Sequence, residues 1–223
     1  MDRIGILGGT FNPPHLGHLA LARHARESLG LDRVYLVPSR EPPHKREAAD
    51  PGPQHRLAMC RALTEAEPAV SACGLETERA GPSYTVDTLR ELQASYPEAR
   101  LTFIAGSDAA RTLPSWREPR ALLQLAEWAV AARPGADADE ALRAVASAGS
   151  GCGDAAQGGA GVRLLEMEPL EVSSSAARER AARGEAIGSL VGEAVAGYIA
   201  AHGLYAASGQ GATDIPGGGG AGG

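Results

Sequence analysis

An α/β domain built on parallel strands is the fold class this sequence predicts, and three observations carry it. Short apolar runs at Ile4 to Leu7, Arg33 to Pro38, Leu101 to Ala105 and Trp128 to Ala132 alternate with longer stretches of helical composition. The opening reads strand, helix, strand, which implies a right-handed crossover between parallel neighbours. A chain of 223 residues with 43% hydrophobic content is long and apolar enough to bury one good core. Ligands of such sheets lie beyond the carboxyl ends of the strands.

Charge and cysteine content narrow the class. The formal net charge is −6, and no basic arm or stripe appears, which argues against nucleic acid as a partner. Groups that bind anions must then be concentrated locally. No apolar run is long enough to span a bilayer, and the first residues read as a strand rather than a leader, so no membrane partner is expected. Cys60, Cys73 and Cys152 are odd in number and scattered, which indicates neither a disulfide framework nor a metal cluster and suits a reducing cytoplasm.

The richest stretch lies between the first strand and the first helix: Gly8-Gly9-Thr10-Phe11-Asn12-Pro13-Pro14-His15-Leu16-Gly17-His18. Glycines let the backbone approach a ligand where a Cβ would collide, and a helix start offers unpaired N–H groups and partial positive charge to a phosphate. The helix is expected over Leu19 to Leu29, with Gly30 as its stop. If it begins near Pro14, His15 and His18 share one face. The residues alone leave a plain turn, two surface histidines or part of a zinc site as alternatives, though nothing is spaced to complete the zinc set.

Further along, Ser39 to Pro53 reads as a loop at the ligand edge, and its Lys45 is either an ordinary solvated lysine or a cation that reaches a triphosphate. A helix over Gln54 to Glu67 and a strand over Ala69 to Glu76 follow. Thr85 is then a good N-cap for a helix running to about Ser95, after the turn that holds Tyr84. Gly106-Ser107-Asp108 closes the clearest central strand; Asp108 reads as a helix cap or as an acceptor for ribose hydroxyls. Leu113 to about Ala126 is expected as a helix, with Trp116 in a polar, proline-bracketed turn rather than an apolar stripe. Arg133, at the end of the next strand, is either structural or close to a nucleotide. Ser147 to Gly161 reads as a flexible surface loop, and Val162 to Glu168 as the last strand. Val172 to about Arg183 is a helix whose opening Ser173-Ser174-Ser175 supplies hydroxyls and exposed N–H groups, with Arg178 one turn further in to grip phosphate oxygens. A closing helix spans Ile187 to His202, and residues 206–223 form a Gly-rich tail expected to be disordered, outside a domain of residues 1–205.

Six stretches together resemble a known family. The first matches G-G-[ST]-F-[DN]-P-x-H-x-G-H, the signature of the HxGH nucleotidyltransferase superfamily, with Asn12 where Asp is commoner. The serine run resembles I-S-S-[ST]-x-I-R, departing at Ala177 where the pattern carries a larger aliphatic. Pro82-Ser83-Tyr84-Thr85-Val86-Asp87-Thr88-Leu89 and Leu113-Pro114-Ser115-Trp116 resemble segments of the bacterial type of nicotinate-nucleotide adenylyltransferase, as do Pro42-Pro43-His44-Lys45 and the closing Leu204-Tyr205. The resemblance implies a doubly wound, Rossmann-like nucleotidyltransferase fold in a single domain. It implies adenylyl transfer from ATP to nicotinate mononucleotide, giving deamido-NAD and pyrophosphate.

By that resemblance His15, His18, Lys45 and Arg178 are catalytic. Gly8, Gly9, Thr10, Phe11, Gly106, Asp108, Arg133, Ser174 and Ser175 bind ATP. Asn12, Tyr84, Thr85 and Trp116 bind the pyridine nucleotide. Magnesium would ride mainly on the ATP phosphates, since no carboxylate cluster offers a protein cage. The partners expected are small-molecule substrates, with a homo-oligomer left open. Rival readings are transfer to nicotinamide mononucleotide, phosphopantetheine or glycerol phosphate, and a nucleotide-sensing module without turnover. A dinucleotide-binding redox protein lacks its G-x-G-x-x-G turn here.

Overall fold

The computed structural model describes residues 1–42, 49–132, 136–149, 161–167 and 171–206. Six parallel strands form one sheet: β1 (Arg3–Gly9), β2 (Arg33–Pro38), β3 (Val70–Ala72), β4 (Arg100–Gly106), β5 (Glu127–Ala132) and β6 (Val162–Glu166). Their order across the sheet is β3-β2-β1-β4-β5-β6. The chain winds outward from β1 in one direction, then crosses back to β4 and winds outward in the other. The doubly wound α/β class read from the sequence is therefore the class observed.

Both faces of the central strands are covered, which is why they read as near-continuous apolar runs. Side chains of β1 alternate: Ile4 and Ile6 join one core, Leu7 the other. The first core packs under α4 (Thr85–Ser95), α6 (Pro119–Leu125) and α7 (Ala136–Gly149) through Val86, Leu89, Leu122 and Val145. The second packs under α1 (Leu16–Leu29), α2 (Pro53–Thr64), α9 (Gly188–Val191) and α10 (Glu193–Ala201) through Leu19, Met59, Val191 and Ile199. Gly5 lets the second core close on β1, because a Cβ there would come within 2.8 Å of Leu31 Cδ1.

Several boundaries differ from those expected. The strand expected over Ala69 to Glu76 is only β3, and a short helix, α3 (Leu75–Glu78), replaces its second half. The helix expected from Leu113 is a 3-10 turn over Leu113–Ser115, broken where Glu118 adopts φ 52°, before α6 begins at Pro119. The closing helix is two, because Gly192 at φ 84° interrupts it. Tyr84, not Thr85, occupies the N-cap of α4, and no side chain caps that end. Of the loop expected from Ser147, the first three residues belong to α7, which runs through Gly149, and residues 150–160 lie outside the described residues. The tail, apart from Ala206, lies outside them too.

Candidate active site at the carboxyl edge

The stretch from Gly8 to His18 leaves β1 at its carboxyl end and turns into α1. Phe11 adopts φ 53° and is only 2% exposed, so its ring folds under the turn instead of into solvent. It meets the His18 ring edge-on at 4.8 Å. The Asn12–Pro13 peptide is cis. α1 starts at Leu16, three residues before the sequence suggests, with His15 at its N-cap in extended conformation. His15 and His18 do share one face: their rings stack with centroids 3.6 Å apart. The His15 backbone N–H donates to His18 Nδ1 at 3.1 Å, which leaves Nε2 of the neutral ring to carry the proton. Gly17 between them leaves room, since a Cβ there would press to 3.0 Å on both His15 Nδ1 and Val172 Cγ2.

Burial holds both imidazoles neutral. It lowers His15 to about 4 and, with the neighbouring His15 adding to it, His18 to about 3. Two stacked rings cannot both take a proton without an anion nearby.

The loop is held by distant elements. Arg56 of α2, with no exposed surface, donates to the carbonyls of Thr10 (2.8 Å), Ser39 (2.6 Å) and Arg40 (3.1 Å), and its Nε donates to Asp50 at 2.8 Å. From α8 (Ser174–Ala182), the Ser174 hydroxyl donates to the Pro13 carbonyl at 2.8 Å. Arg178 donates to the Asn12 carbonyl at 2.6 Å and to Ser175 Oγ at 3.2 Å. The two expected phosphate motifs, far apart in the chain, thus meet. Ser173 is the N-cap of α8, accepting from the Ala176 N–H at 3.1 Å. Ala177 is fully buried in the second core, so a small residue fills the place of the larger aliphatic.

Two cavities open on either side of Gly106, the last residue of β4. One, of about 280 Å³, lies over β1 and β4 and is lined by Gly8, Gly9, Thr10, Tyr84, Thr85, Trp116 and Arg117, among others. Trp116 sits at its wall, with its ring edge-on to Phe103 (6.0 Å) and Trp128 (5.9 Å), and its Nε1 donates to Thr112 Oγ1 at 3.0 Å. It is thus anchored to the core and presented to the cavity at once. Arg117 lies 4.6 Å from the Tyr84 ring centroid. The other cavity, of about 600 Å³, is lined by His15, Gly17, His18, Gly106, Asp108 and Asp137, among others. Asp108 stands in α5 (Ser107–Thr112), largely exposed and ion-paired with Arg111.

Phe11, Asn12, Ser174, Ser175 and Arg178 line neither cavity; they brace the loop between them. Lys45 and Arg133 lie outside the described residues. Sequence reasoning missed Arg56, which reads as one more helix arginine and announces itself only by its burial. It also missed Glu76, 8% exposed in the wall of the smaller cavity, whose carboxyl burial pushes up despite the hydrogen bond from Thr88 Oγ1 at 2.6 Å.

Paired cavities at the point where strand order reverses, with a glycine-bearing turn and a helix start between them, define a nucleotide-binding protein of the doubly wound class. Comparison with known proteins agrees. Residues 6–180 match the model of the family described as cytidylyltransferase-like. A probable nicotinate-nucleotide adenylyltransferase of Symbiobacterium thermophilum is 40% identical over 92% of this chain and 96% of its own length. One from Salinibacter ruber is 39% identical over 91% and 97%. In fold, the chain superposes on the Plasmodium falciparum nicotinic acid mononucleotide adenylyltransferase complexed with NaAD, with TM-score 0.71 at 19% identity, over 92% of this chain and 98% of that one. The chain belongs to the cytidylyltransferase-like family and, within it, to the nicotinate-nucleotide adenylyltransferases. No helix among the described residues is long and apolar enough to cross a membrane.

Proposed function

We propose that this protein transfers the adenylyl group of ATP to nicotinate mononucleotide, giving deamido-NAD and pyrophosphate. The observation that carries this reading is the pair of cavities meeting at Gly106, one lined by neutral stacked histidines and the other by Thr85 and Trp116. In the reaction an oxygen of the mononucleotide 5′-phosphate attacks the α-phosphorus of ATP in line. The new P–O bond forms as the bond to the β-phosphate bridging oxygen breaks, and pyrophosphate leaves with that electron pair. Phosphate is already a competent nucleophile at neutral pH, so positioning and charge stabilisation supply the acceleration.

His15 and His18 serve as donors to the α- to γ-phosphates, and a neutral His18 offers its Nε2–H. Gly8, Gly9, Thr10 and Gly106 bring backbone close to ATP, Phe11 supports the loop from beneath, and Asp108 accepts from ribose. Lys45, Arg178, Ser174 and Ser175 take the leaving pyrophosphate, and Arg133 serves in ATP binding. Tyr84, Thr85 and Trp116 receive the nicotinate ring, and Asn12 shapes the loop that holds the mononucleotide. Bound magnesium would neutralise part of the triphosphate charge. No group of three His, Cys, Asp or Glu side chains able to hold a metal is gathered among the described residues. Asp108 and Asp137 line the larger cavity but both sit against Arg111, which suits contact through water.

The test is pyrophosphate release with ATP and magnesium, comparing nicotinate and nicotinamide mononucleotides. A strong preference for the acid is expected. Equal rates would make the enzyme dual in specificity, and release with neither would remove the reading.

A further inference from the structure

The histidine-bearing loop is also held from the far end of the chain. Tyr205, just beyond α10, donates its hydroxyl to Asn12 Oδ1 at 2.6 Å across 193 residues of sequence. The acceptor is almost wholly buried, at 2% exposure. Tyr205 reaches it from left-handed backbone, φ 63°, where a residue with a side chain is strained. Strain of this kind persists where the surroundings over-determine it, and such positions cluster at functional sites. The ring and the neighbouring Leu204 pack against the second core.

Asn12 sits at the centre of the loop's supports. On one side is Phe11, whose ring touches His18 edge-on; on the other, past the two prolines, is His15, whose N–H donates to His18 Nδ1. A turn of Asn12 would therefore disturb both contacts that fix the His18 ring. Arg178 holds the Asn12 main-chain carbonyl, and Tyr205 holds its side chain. The phenol thus fixes the oxygen end of the amide.

We propose that Tyr205 is a positioning residue for adenylyl transfer: its hydroxyl locks Asn12, and through it the stacked arrangement of His15 and His18. As far as rate is the readout, this rests on the adenylyl-transfer reading above. A group that preorganises the loop acts on the transition state more than on substrate affinity.

Tyr205→Phe keeps the ring and removes the hydrogen bond. It is expected to lower kcat about tenfold while both KM values stay within about twofold. Leu204→Ala trims the adjacent packing without touching the bond, and is expected to lower Tm but leave kcat below the transition within about twofold. Adding Tyr205→Phe to Asn12→Ala should cost nothing further, because both remove one interaction. In the free protein, Tyr205→Phe should also shift the imidazole NMR signals of His15 and His18. The proposal is overturned if kcat is unchanged, if the loss is confined to KM or Tm, if the two substitutions act additively, or if the imidazole signals stay in place. Should the wild-type protein turn over no acceptor, the functional reading fails by itself, and the imidazole signals alone decide for or against Tyr205.

Discussion

His15 and His18 face a cavity as neutral, stacked rings, and that state ties their chemistry to pH. Each has a folded pKa below the ordinary 6.5, near 4 for His15 and near 3 for His18. Between those values and 6.5 the unfolded chain binds protons that the folded chain does not, so stability rises with pH across that window and is lost as pH falls through it. His18→Asn is expected to flatten this dependence, measured as a smaller loss of Tm between pH 6.5 and 4 than in wild type; an unchanged slope would show that His18 is not held neutral. The same substitution should cut turnover at neutral pH by about a hundredfold, as removal of a preorganised donor does. At this scale the sequence was informative where the residue type is rare and its spacing specific, as in His-Leu-Gly-His. It was silent on Arg56, because burial is a property of the packing and not of the residue.

Among the elements, α8 connects packing to the site most directly. Ser174 and Arg178 hold the first loop from one side of this helix while Ala177, fully buried, lets it lie against the second core. Ala177→Ile is expected to overpack that contact and destabilise the fold by about 1–3 kcal/mol, read from chemical denaturation. A gain in stability would show that the core has room for a larger side chain there. Strands and the first helix were legible from apolar runs and from Gly30, whose φ of 61° ends α1 as a left-handed cap. Breaks elsewhere were not legible. Glu118 takes left-handed backbone while bonded to Arg90 at 2.6 Å, an ion pair formed between segments distant in sequence. Likewise β3 stops at Ala72, opposite Leu36, although β2 runs on to Pro38, and the chain turns into α3 at Leu75.

Across the whole molecule, segments far apart in sequence meet: the loop after β1 and Tyr205, a few residues beyond α10, share a hydrogen bond. The limit of the functional chain is therefore expected close behind Tyr205. Ending it at Ala207 should leave both turnover and Tm unchanged, and a clear loss of either would show that the remaining residues dock on the domain.

By itself the sequence determined the α/β class, the parallel crossover at its start and the family, and it marked two candidate phosphate motifs, because apolar period and motif spacing are local properties of the chain. Only the tertiary structure decided that the motifs meet. It also decided that Arg178 and Ser174 brace the loop, that Trp116 is fixed by Phe103 and Trp128, and that two cavities join at Gly106. These depend on which carbonyls and rings a side chain finds across the sheet edge, and no local pattern encodes a contact between residues separated by most of the chain.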